Sequence, residues 1–132
     1  MADRIERRRL RVYVAGPISK GDVVENVWNG IRMGRELLNR GFAPYIPHLD
    51  AYLTLNAAAN YAEGEVSDQW RMLLEWDLEW VLASEAVLRL PGISKGADLE
   101  CHRAEAHGIP VFRDIDELET YAVSLGLTGV RK

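Results

Sequence analysis

The chain has a single cysteine, Cys101, among its 132 residues. One thiol cannot make an intrachain disulfide or a cysteine-rich zinc site, so stability has to come from an apolar core, with Cys101 packed on a helix. Long apolar runs are missing as well. No segment approaches the ~20 apolar residues that cross a bilayer, and the first ten residues lack the apolar stretch of a secretion signal, so a cytoplasmic location with no membrane partner is expected. Positive charge is in short supply too: 16 Lys and Arg against 20 Asp and Glu leave a net charge of −4. That balance argues against a broad nucleic-acid surface, and no nucleic-acid partner is predicted. Arg4, Arg7, Arg8, Arg9 and Arg11 do cluster at the N-terminus; they read as a solvated basic leader over 1–10, followed by one domain over 11–132. There are three histidines, His48, His102 and His107. The last two are five apart and do not share a helical face, so no metal site is predicted. What remains, 48% hydrophobic and 27% charged residues, is the composition of an ordinary soluble domain with enough apolar side chains for a core.

The pattern along the chain alternates strand and helix. Leu10 to Ala15 reads as a buried first strand, broken at once by the loop Gly16 to Gly21. A helix is predicted from Glu25 to Arg40, with Val27, Ile31, Gly34, Leu37 and Leu38 on its inner face and Gly41 as its stop. Asn26 either caps that helix or touches the loop. Phe42 to Ile46 is a short second strand, which Pro44 assigns to an edge or an early end. Ala51 to Glu65 is expected to be a partly helical lid, and Ser67 to Ala83 a helix capped by Ser67 or Asp68. Strands over Val87 to Leu90 and Ile109 to Phe112 enclose a helix from Gly96 to His107, and a last helix covers Asp116 to Leu125. This order predicts an α/β three-layer sandwich with a mostly parallel, doubly wound, flavodoxin- or Rossmann-like sheet of four or five strands.

The densest chemical signal is Leu90 to Glu100, Leu-Pro-Gly-Ile-Ser-Lys-Gly-Ala-Asp-Leu-Glu. A strand ends there in a Gly-rich turn that opens a helix. Gly92 and Gly96 allow close backbone approach, and free N–H groups at the positive end of the helix favour an anion such as phosphate. Ser94 adds a hydroxyl donor, and Glu100 lies about one turn past Gly96, where a carboxylate can act as nucleophile or base over the same crevice. The competing reading is an ordinary turn with a solvated Glu. In an open parallel sheet, ligands bind where the strand C-termini meet at a change of winding direction. That rule brings Tyr13, Gly16, Ser19, Ser94 and Glu100 to one crevice.

Three landmarks, Val12-Tyr-Val-Ala-Gly-Pro-Ile18, Asp77-Leu-Glu-Trp80 and Ser94-x-Gly96-x-x-x-Glu100, occur in the order and separation of a known family. Over roughly Arg11 to Leu118 the chain resembles the superfamily of nucleoside 2-deoxyribosyltransferases and nucleotide N-glycoside hydrolases, which includes 5-hydroxymethyl-dUMP N-hydrolase. It looks closest to a bacterial and phage branch. The resemblance implies that Glu100 attacks the anomeric carbon to form a covalent glycosyl-enzyme, as in retaining glycosidases. Asp77 is then the candidate proton donor to the departing base, and Tyr13 orients Glu100 through its hydroxyl; the alternative for Tyr13 is a core tyrosine.

Gly16, Pro17, Ile18, Ser19, His48, Ser94 and Gly96 would bind substrate. In transferases of free nucleosides the residue six before the nucleophile is typically acidic. Here it is Ser94, which donates to a 5′-phosphate instead of repelling it, so a nucleoside 5′-monophosphate is expected. Ser19 departs from the hydrolase relatives, which often carry Arg there. His48 contacts the base or sugar, or is a neutral surface histidine. Trp70, Trp76 and Trp80 are expected to pack in the core or a subunit interface, with base stacking as the alternative. No cofactor is implied. The expected partners are a small-molecule nucleotide or nucleoside and a second copy of the chain, in a homodimer or higher homo-oligomer. Relatives complete the site with a polar residue from a neighbouring subunit's chain end, for which Thr128 is the candidate here. Hydrolysis is expected ahead of base transfer. The rival functions are a 2-deoxyribosyltransferase, a non-catalytic nucleotide-sensing module, and a phosphoribohydrolase of the cytokinin-activating type, whose Pro-Gly-Gly-x-Gly-Thr-x-x-Glu loop looks like Pro91 to Glu100.

Overall fold

The computed structural model describes residues 8–50 and 63–127, except the side chains of 63–70. Most of the predicted lid, Thr128, Arg4, Arg7 and the Trp70 side chain lie outside that description. The elements follow the predicted alternation: β1 (Arg11–Ala15), α1 (Val23–Asn39), β2 (Ala43–Tyr45), a 3-10 turn (Pro47–Asp50), α2 (Glu63–Leu82), β3 (Ala86–Arg89), α3 (Lys95–Ala106), β4 (Val111–Phe112) and α4 (Ile115–Ser124). Among the described residues the sheet has four strands in the order β2-β1-β3-β4, every neighbouring pair parallel. Pro44 does sit on an edge strand, where its missing N–H costs no ladder bond.

β1 and β3 are central, and their Val-Tyr-Val-Ala and Ala-Val-Leu-Arg runs are buried on both faces, as parallel strands between helical layers require. Alternation divides them. Val12, Val14, Leu88 and Leu90 face Leu37 of α1 and Leu118 and Ala122 of α4. Tyr13, Ala15 and Val87 face Val81 of α2 and Ala97, Cys101 and Ala104 of α3. Cys101 is thus a packing residue, and burial pushes its thiol up to about 11.

Several boundaries differ from the sequence reading. Helix α1 starts earlier because Asp22 caps it, its carboxylate accepting from the Glu25 N–H at 3.1 Å. Asn26 instead ties the loop, donating to the Ile18 and Lys20 carbonyls at 3.1 and 2.6 Å. Helix α2 begins at Glu63, ahead of the expected caps Ser67 and Asp68. Leu38, expected on the inner face of α1, is half exposed. The described N-terminal arginines are exposed, as expected, but each also has partners. Arg8 pairs with Glu85 at 2.6 Å, Arg11 with the same carboxylate at 3.3 Å, and Arg9 donates to the Phe42 and Leu38 carbonyls at 2.8 and 3.2 Å.

Candidate active site

The winding direction changes between β1 and β3, so the loops that leave them lie side by side. The Leu90 N–H donates to the Ala15 carbonyl at 2.7 Å. Gly16 is buried there, and a Cβ on it would lie 2.9 Å from Leu90 Cβ. Gly92 has φ +115°, a left-handed conformation, and a Cβ on it would come within 2.7 Å of Pro17. Glycine at both positions lets the two loops touch. Gly96 behaves differently from expectation. It has no positive φ and is the second residue of α3, with nothing within 4 Å of where its Cβ would be. Its effect is to leave the start of the helix bare.

Ser94 is the N-cap of α3, its hydroxyl oxygen accepting from the Ala97 N–H at 3.1 Å. The hydroxyl proton remains available to a ligand. Ser19 and Lys20 are exposed, while Pro17 and Ile18 are half-buried.

From α3, Glu100 reaches across the buried face to Tyr13, whose hydroxyl donates to Glu100 Oε2. Tyr13 is wholly buried and Glu100 is 6% exposed. The two residues come together as expected, and neither is solvated. Burial pushes Glu100 up to about 7, against the opposing pull of the Tyr13 hydrogen bond and the Arg89 charge. Desolvation thus outweighs the pull of these groups, and Glu100 is half ionised near neutrality.

Asp77, on α2, is 8% exposed and pushed up to about 9, first by burial, then by a hydrogen bond and repulsion from Asp50, and by the Glu100 charge. Asp77 is thus a protonated acid at neutral pH beside a carboxyl that ionises two units lower. This splitting of two carboxyls is the pattern of an acid and a nucleophile sharing a site.

No family model matches the chain, and no curated protein matches it by sequence. Among solved structures, the chain is similar to a 2-deoxyribosyltransferase from the psychrotolerant bacterium Bacillus psychrosaccharolyticus, a biocatalyst for nucleoside synthesis. The TM-score is 0.52 at 18% identity, covering 76% of this chain and 69% of that one. The chain has a deoxyribosyltransferase fold.

Three residues of the crevice escaped the sequence reading. Tyr45 of β2 stacks between Tyr13 and Trp80, with ring centroids 5.7 and 5.2 Å away and interplanar angles of 15° and 13°. Trp80 and Trp76 are 45% and 39% exposed, so neither is a core residue. Arg89, at the end of β3, is buried beneath the Gly92 turn. It donates to the Leu90 carbonyl, to the Gly92 carbonyl at 2.9 Å, and to Asp98 at 3.1 Å. A charge inside the apolar run Val-Leu-Arg-Leu was the available signal. The third residue is Asp50, and its position just past an edge strand was the only hint.

His48 is not at the surface. Its ring is fully buried against Gly30 of α1, where any Cβ would overlap it, and burial lowers its pKa to about 4 despite the Pro17 carbonyl. Its place is behind the first loop, as a neutral packing ring. A cleft of about 400 Å³ lies on the α1 side of the sheet, lined by Pro17, Asn29, Met33 and Leu90 among others. Glu100, Tyr13 and Asp77 do not line it, because they belong to the opposite face.

Proposed function

We propose that this protein is an enzyme that cleaves the N-glycosidic bond of a nucleoside 5′-monophosphate or nucleoside, through a covalent glycosyl-Glu100 intermediate. The carrying observation is the buried Tyr13–Glu100 hydrogen bond beside a buried Asp77, whose carboxyl burial and neighbouring charge push up. Glu100 attacks the anomeric carbon from one side of the sugar. The bonding pair leaves with the base nitrogen, and Asp77 delivers its proton to the base as the bond breaks. Tyr13 donates to one carboxylate oxygen and so aims the other. The deprotonated Asp77 then takes a proton from a water that displaces the sugar from Glu100, which restores both groups.

Substrate recognition in this reading divides by chemistry. The Ser94 hydroxyl and the bare N-terminal turn of α3 present donors to a 5′-phosphate. Arg89 holds the turn from beneath and contributes positive charge without reaching solvent. Gly16, Pro17, Ile18 and Ser19 form the opposite wall, and His48 supports that wall from behind. Water serves as acceptor ahead of a second base. The working assembly is at least a homodimer, supported by the exposed Trp76 and Trp80, and the location is cytoplasmic.

The test is incubation with a panel of ribo- and deoxyribonucleosides and their 5′-monophosphates, scoring free base by chromatography. Base release from at least one monophosphate, faster than from its nucleoside, is expected. Tight binding of a monophosphate with no base released from any member would overturn the reading in favour of a nucleotide-sensing module.

A further inference from the structure

Asp50 ends the 3-10 turn that follows β2, and it reaches Asp77 on α2. The turn is anchored because Pro47 and His48 are buried, the histidine ring lying where Gly30 of α1 has no side chain. The two carboxyl groups act directly on each other's ionisation. Asp50 Oδ2 and Asp77 Oδ1 are both buried, and among the described residues no donor serves either atom. Two carboxylates cannot hydrogen-bond without a proton between them, and two bare negative charges at that distance out of water repel strongly.

We propose that Asp50 is a positioning residue that shares one proton with Asp77 and holds it there, so that the pair, not Asp77 alone, is the acid that serves the departing base.

The proposal rests on the reading of Asp77 as proton donor. The surroundings favour one proton on the pair. Tyr13 of β1 and Tyr45 of β2 face it, and burial and these same carboxylates push both phenols up, so neither supplies a competing proton. Glu100 of α3 adds a negative charge nearby. Arg89 of β3 is a cation near this cluster, and its pull is on Glu100. Burial raises Asp50 as well. The pair therefore titrates as a unit, as coupled carboxyls do. After the base leaves, both carboxyls of the pair are ionised, and their mutual repulsion out of water favours taking a proton back from water.

Two readouts test this. The first is carboxyl 13C NMR of the ligand-free protein, with aspartate labelled, titrated from pH 4 to 10. Two linked steps from Asp50 and Asp77 are expected, one of them above pH 7. In Asp50→Asn the Asp77 midpoint is expected to fall by at least one pH unit, since the like charge is gone and the amide donates to ionised Asp77; at pH 8 its protonated share drops from about nine-tenths to about half or less. The second readout is the pH profile of base release. Asp50→Asn is expected to move the alkaline limb down by the same amount and to slow poor leaving groups more than good ones, with KM little changed. Independent, ordinary titration of the two carboxyls in the parent protein overturns the proposal, and that measurement needs no variant to fold. So does an Asp77 midpoint unmoved in Asp50→Asn. Linked titration without base release from any substrate keeps the pair and removes the catalytic reading instead.

Discussion

Replacing Tyr13 by Phe removes one hydroxyl and keeps the ring, so it isolates a single hydrogen bond. Tyr13 is fully buried, aligned in register with Tyr45 and Val87 in the sheet, and stacked on Tyr45. Phe preserves that packing. What it loses is the donor to Glu100. A hydrogen bond to a charged group is worth about 1.5–3 kcal/mol, which corresponds to about one to two pKa units. Glu100 stands at about 7 with the bond in place. Without it the midpoint should move to about 8–9, so the ionised share at pH 7 falls from about half to between a tenth and a hundredth. With Glu100 as the nucleophile, kcat/KM for base release at pH 7 should drop about 5- to 50-fold, and part of the loss should be recovered on raising the pH. Recovery is bounded by Asp77, which loses its proton near 9. The bell of the parent, with limbs near 7 and 9, should collapse to a low, narrow peak. The assay is chromatographic base release over pH 5.5–10, with circular dichroism to verify folding. An acidic limb that stays in place in Tyr13→Phe would refute the role given to Tyr13.

The remaining expectations come from other parts of the same structure. Gly30→Ala places a methyl group on the His48 ring, and overpacking of this kind should cost about 1–3 kcal/mol in urea denaturation; an unchanged midpoint would mean that the ring has room. Ser94→Asp should keep the α3 cap, since Asp caps as well as Ser, while reversing any preference for monophosphate over nucleoside in competition binding; equal affinity of the parent for both ligands would contradict the phosphate reading. Stability should also follow an unusual pH course. Glu100 and Asp77 are raised to about 7 and 9, so the folded state holds protons that the unfolded chain has released above about pH 4.5, and each such proton lowers stability by about 1.4 kcal/mol per pH unit as pH rises. His48, lowered to about 4, works in the opposite direction between 4 and 6.5 and cancels one of the two. Denaturation between pH 5 and 9 should therefore show stability falling with pH throughout, and a rise over that range would contradict the protonation states described.

How far the sequence revealed this structure depended on whether a residue's partner was local. The strand Arg11–Ala15, the stop at Gly41 and the edge position of Pro44 are local consequences of apolar runs and backbone chemistry, and each was legible. So was the meeting of Tyr13 and Glu100, because the winding rule for parallel sheets places those two loops together. Where the determinant was distant, the reading failed. Ser67 and Asp68 looked like caps by residue type, yet the helix extends back to Glu63. His48 looked like a surface residue because nothing beside it in sequence signals the gap above Gly30, although a glycine within a helical pattern is a mark of close approach. Asp50 and Asp77 are on different elements, and their shared proton depends on a separation that neither element encodes alone. Arg89 was visible as a charge in an apolar strand, but its three acceptors belong to the following turn and helix, whose path the strand does not specify.

The glycosyl-Glu100 intermediate is tested most directly by acid-quenched intact-mass measurement of the protein during turnover of whichever panel member releases base fastest. The expected result is a protein species heavier by one glycosyl group, located by peptide mapping to the segment containing Glu100, and absent from Glu100→Gln, which should still bind the substrate. Base release without any adduct at short quench times, or an adduct mapped to another residue, or full turnover in Glu100→Gln would contradict it.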